Sequence, residues 1–319
     1  MPLGPPATPA PSAPTGAPPV GAGVVAPSAG ASAATASAAP VPVSTARAER
    51  DAIATAAAAG ALRRRNRGKD PSQLAHHIAA ALNVGNVDFG FYWVTALTSS
   101  GKIVVANSYG IGYIPAKVLL PEQVCLANAD GSIPLNERAQ WATYPVLALQ
   151  GWAQHHHERL RLLIATEDQL QGFDPGVATS ILQHDDIPDE GTMRGRTRLQ
   201  VVAPASAARL AEKSDKRLTD LLPPAKAGLV PPAGDLAMSW FEVSKPLMSG
   251  SADRCRVHLK AMAAYAIEAS ESAQYRTHAE CDPGTQRAAI ADWLYWQCQD
   301  RILAEALNGP ACQAWSERG

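Results

Sequence analysis

No phenylalanine, tryptophan or tyrosine occurs before Phe89. A chain of 319 residues must therefore draw every aromatic side chain of its core from Phe89 onward, behind a long head with little to bury. Residues 1–46 carry no charged side chain and are almost wholly Ala, Pro, Gly, Ser, Thr and Val. Recurrent proline fixes φ and removes backbone donors, so extended polyproline II segments joined by flexible Ala/Gly/Ser are expected. Little apolar area is available to offset chain entropy, and this head reads as a disordered tail. It lacks a Lys or Arg ahead of an apolar stretch, and proline interrupts every candidate run, so a secretory signal is not expected. No run approaches the ~20 apolar residues of a membrane span.

Residues 47–70 form a bridge of different character. Glu49 and Asp51 stand at its start and Arg63, Arg64, Arg65, Arg67 and Lys69 at its end, an order that suits a helix macrodipole. Gly60 and the lack of an apolar face leave a partly helical, solvated linker, with binding of anionic lipid or nucleic acid by the basic cluster as the alternative. The formal net charge of −1 gives no reason to expect a polyanion partner. Neither nucleic acid nor stable membrane insertion is expected. Five widely spaced cysteines, none in C-x-x-C spacing, exclude a zinc ribbon or a redox motif and suit a reducing cytoplasm.

From Pro71 the pattern is that of folded protein. Asp70-Pro71 with Leu74, Ile78, Ala81 and Leu82 predicts an amphipathic helix. Two runs rich in β-branched and aromatic residues flank Ser99-Ser100-Gly101-Lys102 and predict a hairpin. Next come an edge strand at 123–127, helices from Pro134 and Pro145, a buried strand at 160–165, a helix start at Phe173-Asp174-Pro175-Gly176 and a last strand at 197–202. Beyond Pro204 the chain reads as helical. Cys255, Leu259, Met262, Ala266, Ala269 and Ala273 recur at spacings of four and three, a narrow seam suited to close helix packing. The expected architecture is α+β: an α+β domain at 71–203 built on a small sheet with flanking helices, a helical subdomain at 204–308, and a tail at 309–319.

The last helix carries two apolar stripes. Ile290, Leu294, Cys298 and Ile302 form one; Trp293, Trp296, Leu303 and Leu307 form the other. A helix apolar over so wide an arc is central to a core or covered by a partner. The first stripe is expected to hold the helix down and the second to bind protein.

Chemistry is sparse. Ser108 in Ala106-Asn107-Ser108-Tyr109-Gly110 approaches a nucleophile elbow, with His258 and Asp185 or Asp186 as conceivable partners. The succeeding Ile111-Gly112-Tyr113-Ile114-Pro115 is a poor helix start, so a turn serine is the preferred reading. Gly110 and Gly112 lack the third glycine of a dinucleotide fingerprint. His155, His156 and His157 point ~100° apart on a helix and share no face, so neither metal nor cofactor is expected. Asp185, Asp186, Asp189 and Glu190, with Arg194 and Arg196 beyond them, form a charged loop that either satisfies its own ion pairs or serves recognition. The order of elements invites comparison with zinc nucleobase deaminases, but the zinc ligands of that family are missing, leaving at most a catalytically dead binding module.

The runs FYWVTALTSSGKIVVANSYGIGYIP, WATYPVLALQGWA, HDDIPDEGTMRGRTRLQVV and AIADWLYWQ together resemble the C-terminal domain of the mycobacterial EspK family, from about Ser72 to about Leu307. The resemblance implies a cytosolic, non-enzymatic chaperone of type VII (ESX) secretion that binds a secreted substrate of EspB type. Members of that family carry a further N-terminal domain ahead of the Pro-rich linker, which the sequence as it stands is expected to lack. Type VII substrates present W-x-G and Y-x-x-x-D/E motifs, and neither occurs here. The chain reads as machinery rather than cargo.

Overall fold

Asp70 accepts a hydrogen bond from Ser72 N at 3.0 Å, and Pro71 occupies the first turn of helix α1 (Pro71–Leu82). The computed structural model describes residues 70–85, 88–170, 174–188, 193–224, 230–279 and 282–308, and all of these lie within one compact unit. The readings for 1–69, for Asp189 and Glu190 and for the tail 309–319 lie outside the described residues.

The hairpin forms as the sequence predicts. Strands β1 (Trp93–Thr98) and β2 (Ile103–Asn107) pair antiparallel, Thr95 opposite Val105. Strand β3 (Val124–Leu126) runs parallel to β2 on one side. After helices α2 (Leu135–Gln140) and α3 (Pro145–His155), β4 (Leu160–Ala165) pairs antiparallel with β1. A short helix α4 (Glu167–Leu170) leads to β5 (Ala178–Ile181), parallel to β4. The result is a mixed five-stranded sheet in the order β3-β2-β1-β4-β5.

Every residue of β1 and β2 is buried, so both faces of the hairpin are covered. Because side chains alternate along a strand, Trp93, Leu97, Ile103 and Val105 meet Ile78 of α1, while Val94, Ala96, Val104 and Ala106 meet Leu149 and Trp152 of α3. The first of these two cores does not stop at the sheet. It continues without a break into Leu259, Met262 and Tyr295 of the C-terminal helices.

Two expectations are corrected. Residues 197–202 do not form a strand; they form helix α5 (Arg198–Val202). Thr197 and Gln200 close a capping box, with Gln200 Oε1 accepting from Thr197 N at 2.8 Å, and this reciprocal bond outweighs the β-propensity of the two valines. The segment after Pro175, expected to open a helix, instead supplies β5.

Helix α6 (Pro204–Glu212), a 3₁₀ turn at Asp215–Leu221 and helix α7 (Leu236–Ser244) lead into the two long helices, α8 (Arg254–Ala279) and α9 (Pro283–Asn308). All six seam residues of α8 are buried, and α8 packs more extensively with α9 than any other pair of elements. Asp282 accepts from Thr285 N and Oγ1 at 2.8 and 2.9 Å and so begins α9.

Candidate protein-binding site

The turn after β2 joins the sheet to the C-terminal helices. Asn107 Oδ1 accepts from Tyr109 N and Gly110 N, both at 3.0 Å, while its Nδ2 donates to Tyr113 O at 2.7 Å. Gly110 has φ +69°, and a Cβ there would lie 2.5 Å from Ala142 Cα, so only glycine fits. The tight turn drives Tyr109 and Tyr113 into the interior.

Ser108 lies in this turn, fully buried. Its hydroxyl donates to Gly90 O at 2.7 Å and accepts from Tyr92 N at 3.0 Å. His258 does not face it: Nδ1 lies 2.8 Å from Val243 O and Nε2 3.0 Å from Tyr109 O. Asp186 is occupied with Gln183 N at 2.9 Å. The serine fastens a turn, and the three residues of the conceivable triad are held apart in separate contacts. Among the triple histidines, His156 is paired with Asp130 at 2.7 Å. Burial pushes the Asp130 carboxyl up, but hydrogen bonds from Ser132, His156 and Trp152 outweigh it and hold the pKa at about 2. Among the described residues no group of three or more His, Cys, Asp or Glu side chains is placed to hold a metal.

Tyr113 belongs to a group of four rings, the other three each from a different helix. Tyr113 and Trp240 lie 5.4 Å apart between centroids, Trp240 and Tyr265 4.7 Å, Tyr265 and Trp296 5.2 Å, and Trp296 and Tyr113 6.5 Å, which closes a circuit. These rings line a cavity of about 300 Å³. Asp88 lines it as well, its Oδ1 accepting from Trp240 Nε1 at 3.0 Å. Asp292 stands with the arginines, 2.7 Å from Arg198 and 3.2 Å from Arg276. The Arg198 guanidinium lies 4.3 Å from the centroid of Tyr295 and 5.4 Å from that of Trp296. Burial, and after it the Tyr295 and Asp88 charges, push the Tyr113 phenol well up.

Of the four residues expected to bind protein, Trp296 (6 % exposed) and Leu303 (1 %) are core side chains; Trp296 also lines the cavity. Trp293 and Leu307 are half-buried, and the Trp293 indole N–H is buried with no hydrogen-bond partner. The exposed apolar residues lie elsewhere. Met238 and Phe241 project from one side of α7, and Phe89 stands between Asp88, which bonds to Trp240, and Gly90, which packs against Leu247. Asp88, Tyr113, Trp240 and Tyr265 escape sequence reasoning because they are far apart in the chain; the one local sign is Trp240 in a short helix capped by Asp235.

The charged loop is only partly brought together. Asp185 and Asp186 sit on a 3₁₀ turn, with Asp186 3.9 Å from His76. Arg196 donates to Val124 O at 2.6 Å and lies 3.6 Å from Glu122, stapling the loop to β3. Arg194 lines a groove of about 710 Å³ with His77, Ile78 and Glu122.

Known proteins share the sequence of this body over most of its length. Residues 82–308 match the family model described as the EspK C-terminal domain. The chain is 50% identical over 248 residues to the ESX-1 secretion-associated protein EspK of Mycobacterium tuberculosis (strain CDC 1551 / Oshkosh), covering 77% of this chain and 34% of that protein. It is 49% identical over 247 residues to an uncharacterized protein of Mycolicibacterium smegmatis (strain MKD8), covering 76% of this chain and 33% of the other. The chain thus spans about a third of the length of these curated relatives. Among the described residues no helix is long and apolar enough to cross a membrane. With the match running from the end of α1 through the whole of α9, the chain belongs to the EspK C-terminal domain family.

Proposed function

We propose that this chain is a cytosolic, non-catalytic chaperone or adaptor of a mycobacterial ESX secretion system, binding a helical secreted substrate of EspB type. The observation that carries the reading is the half-identity to an ESX-1 secretion-associated protein across nearly the whole described body. Two structural features support it. The Ser108 hydroxyl, the best nucleophile the sequence offers, is committed to the backbone on both sides. Met238 (59 % exposed) and Phe241 (50 %), one turn apart on α7, give an apolar strip beside an aromatic cavity, as a helix-binding surface requires.

The direct test is calorimetric titration of the purified chain with a purified EspB-type substrate. A one-to-one complex with a dissociation constant in the range of about 1–10 μM is expected, in keeping with a transient interface. No heat change at ~100 μM protein, with both partners folded, overturns the reading. The recognition role of Asp185, Asp186 and Arg194 is tested by stopped-flow mixing of the same two proteins: removing these charges lowers the association rate and its salt dependence if the loop steers the partner.

A further inference from the structure

We propose that the aromatic cavity between the β2 turn, α7, α8 and α9 is a receptor for one lysine or arginine side chain carried by a partner polypeptide. The inference rests on the adaptor reading for the source of that side chain, but its chemistry stands on the cavity alone. Tyr113, Trp240 and Tyr265 supply three aromatic rings, and ring faces attract a cation. Arg198, Arg276 and Asp292 also line the cavity, with both guanidiniums paired to Asp292, and Asp88 is the carboxylate left over. Its Oδ1 takes the Trp240 indole N–H, which fixes the carboxylate at the cavity, and it forms no ion pair among the described residues.

The same lining shows this recognition already in use. Arg198 lies against the rings of Tyr295 and Trp296 and pairs at 2.7 Å with Asp292, a carboxylate it shares with Arg276 at 3.2 Å. The wall therefore accepts a guanidinium when a carboxylate accompanies it; Asp88 is a second carboxylate of the same lining, and it forms no ion pair among the described residues. About 300 Å³ is the bottom of the range for small-molecule sites and accommodates one long side chain. The aliphatic stem of Lys or Arg packs on apolar surface while its head stays polar, which matches rings below and Asp88 beside them. Exposed Met238, Phe241 and Phe89 on the neighbouring α7 and turn give contact surface to the residues flanking the cation, so the source is a polypeptide rather than a free amine.

The test uses the full chain labelled with ¹⁵N and tracks its tryptophan indole N–H signals during titration with acetyl-Gly-Arg-Gly-amide and acetyl-Gly-Lys-Gly-amide. The neutral norleucine and acidic glutamate counterparts serve as controls. The Trp240 signal is expected to shift saturably with the two basic peptides only. Asp88→Asn keeps an acceptor for the Trp240 N–H, so the variant folds, but it weakens binding by about tenfold or more, and Asp88→Glu restores it to within about threefold. An equal shift with norleucine, preference for glutamate, or wild-type binding by Asp88→Asn overturns the proposal. The EspB-type substrate separates the two readings. If it fails to bind while the basic peptides bind through Asp88, the adaptor reading falls and the cavity stands. If it binds wild type and Asp88→Asn alike and no basic peptide moves Trp240, the cavity falls and the adaptor reading stands.

Discussion

His258 shows how much one side chain holds together. It is fully buried on α8 and touches carbonyls of two other elements, Val243 of α7 and Tyr109 of the β2 turn. A neutral ring donates only one hydrogen bond. Burial, the largest influence, lowers its pKa; the two carbonyls raise it, and Arg254 lowers it further. The unfolded ring takes up a proton near its ordinary value of about 6.5, whereas the folded ring resists it. Protons therefore bind the unfolded state more readily, and stability falls as pH drops from about 7.5 towards about 5.5. Urea midpoints across that interval should show this slope, and His258→Gln should flatten it; an unchanged slope would sink the assignment. At Ser108 the expected cost is structural. Ser108→Ala strands Tyr92 N and Gly90 O and should lower stability by ~1–3 kcal/mol. A fluorophosphonate probe should label neither form, and labelling of wild type alone would show a nucleophile.

Among the elements, α9 splits its own second stripe, with Trp296 and Leu303 in the core and Trp293 and Leu307 half-buried. Trp296 is enclosed by Tyr113, Tyr265 and Tyr295, so Trp296→Ala should cost ~3–5 kcal/mol of folding stability. Trp293, half-buried with an unpartnered indole N–H, should cost well under that, and any large loss of substrate affinity in its folded Ala variant would mark it as a contact. Chemical denaturation and calorimetry on both variants separate these effects. The hairpin, α1 and the seam of α8 are legible in the sequence because their periods are local, repeating within a few residues. Residues 197–202 read as a strand because β-branched Val201 and Val202 hide the Thr197–Gln200 box, itself a readable signal. Strand β5 has no such signal: its place is set by pairing with β4. The aromatic cavity is invisible for the same reason, since Tyr113, Trp240, Tyr265 and Trp296 meet only in three dimensions.

The whole molecule depends on contacts between distant parts of the sequence. Tyr295 of α9 donates to Gly112 O at 3.3 Å and accepts from Ile114 N at 3.0 Å, and Leu259 and Met262 belong to the same core as Trp93. The proposed division into an α+β domain and a helical subdomain therefore describes sequence order better than independence. A fragment ending at residue 203 should lose cooperative thermal unfolding, which circular dichroism would report; a sharp transition in that fragment would show that the sheet stands alone. This arrangement also bears on how the chain is made. A ribosome delivers residues in order, at roughly 5–20 per second, and the partner of Ile114 emerges some 181 positions later. For ~10–40 seconds the nascent sheet has its β2 turn, with Tyr109 and Tyr113, uncovered. Loop closure across so long a stretch is slow to be rewarded. A protein proposed to shepherd another thus spends its own synthesis as a client of the cell's general chaperones, and its yield on overexpression should track their supply.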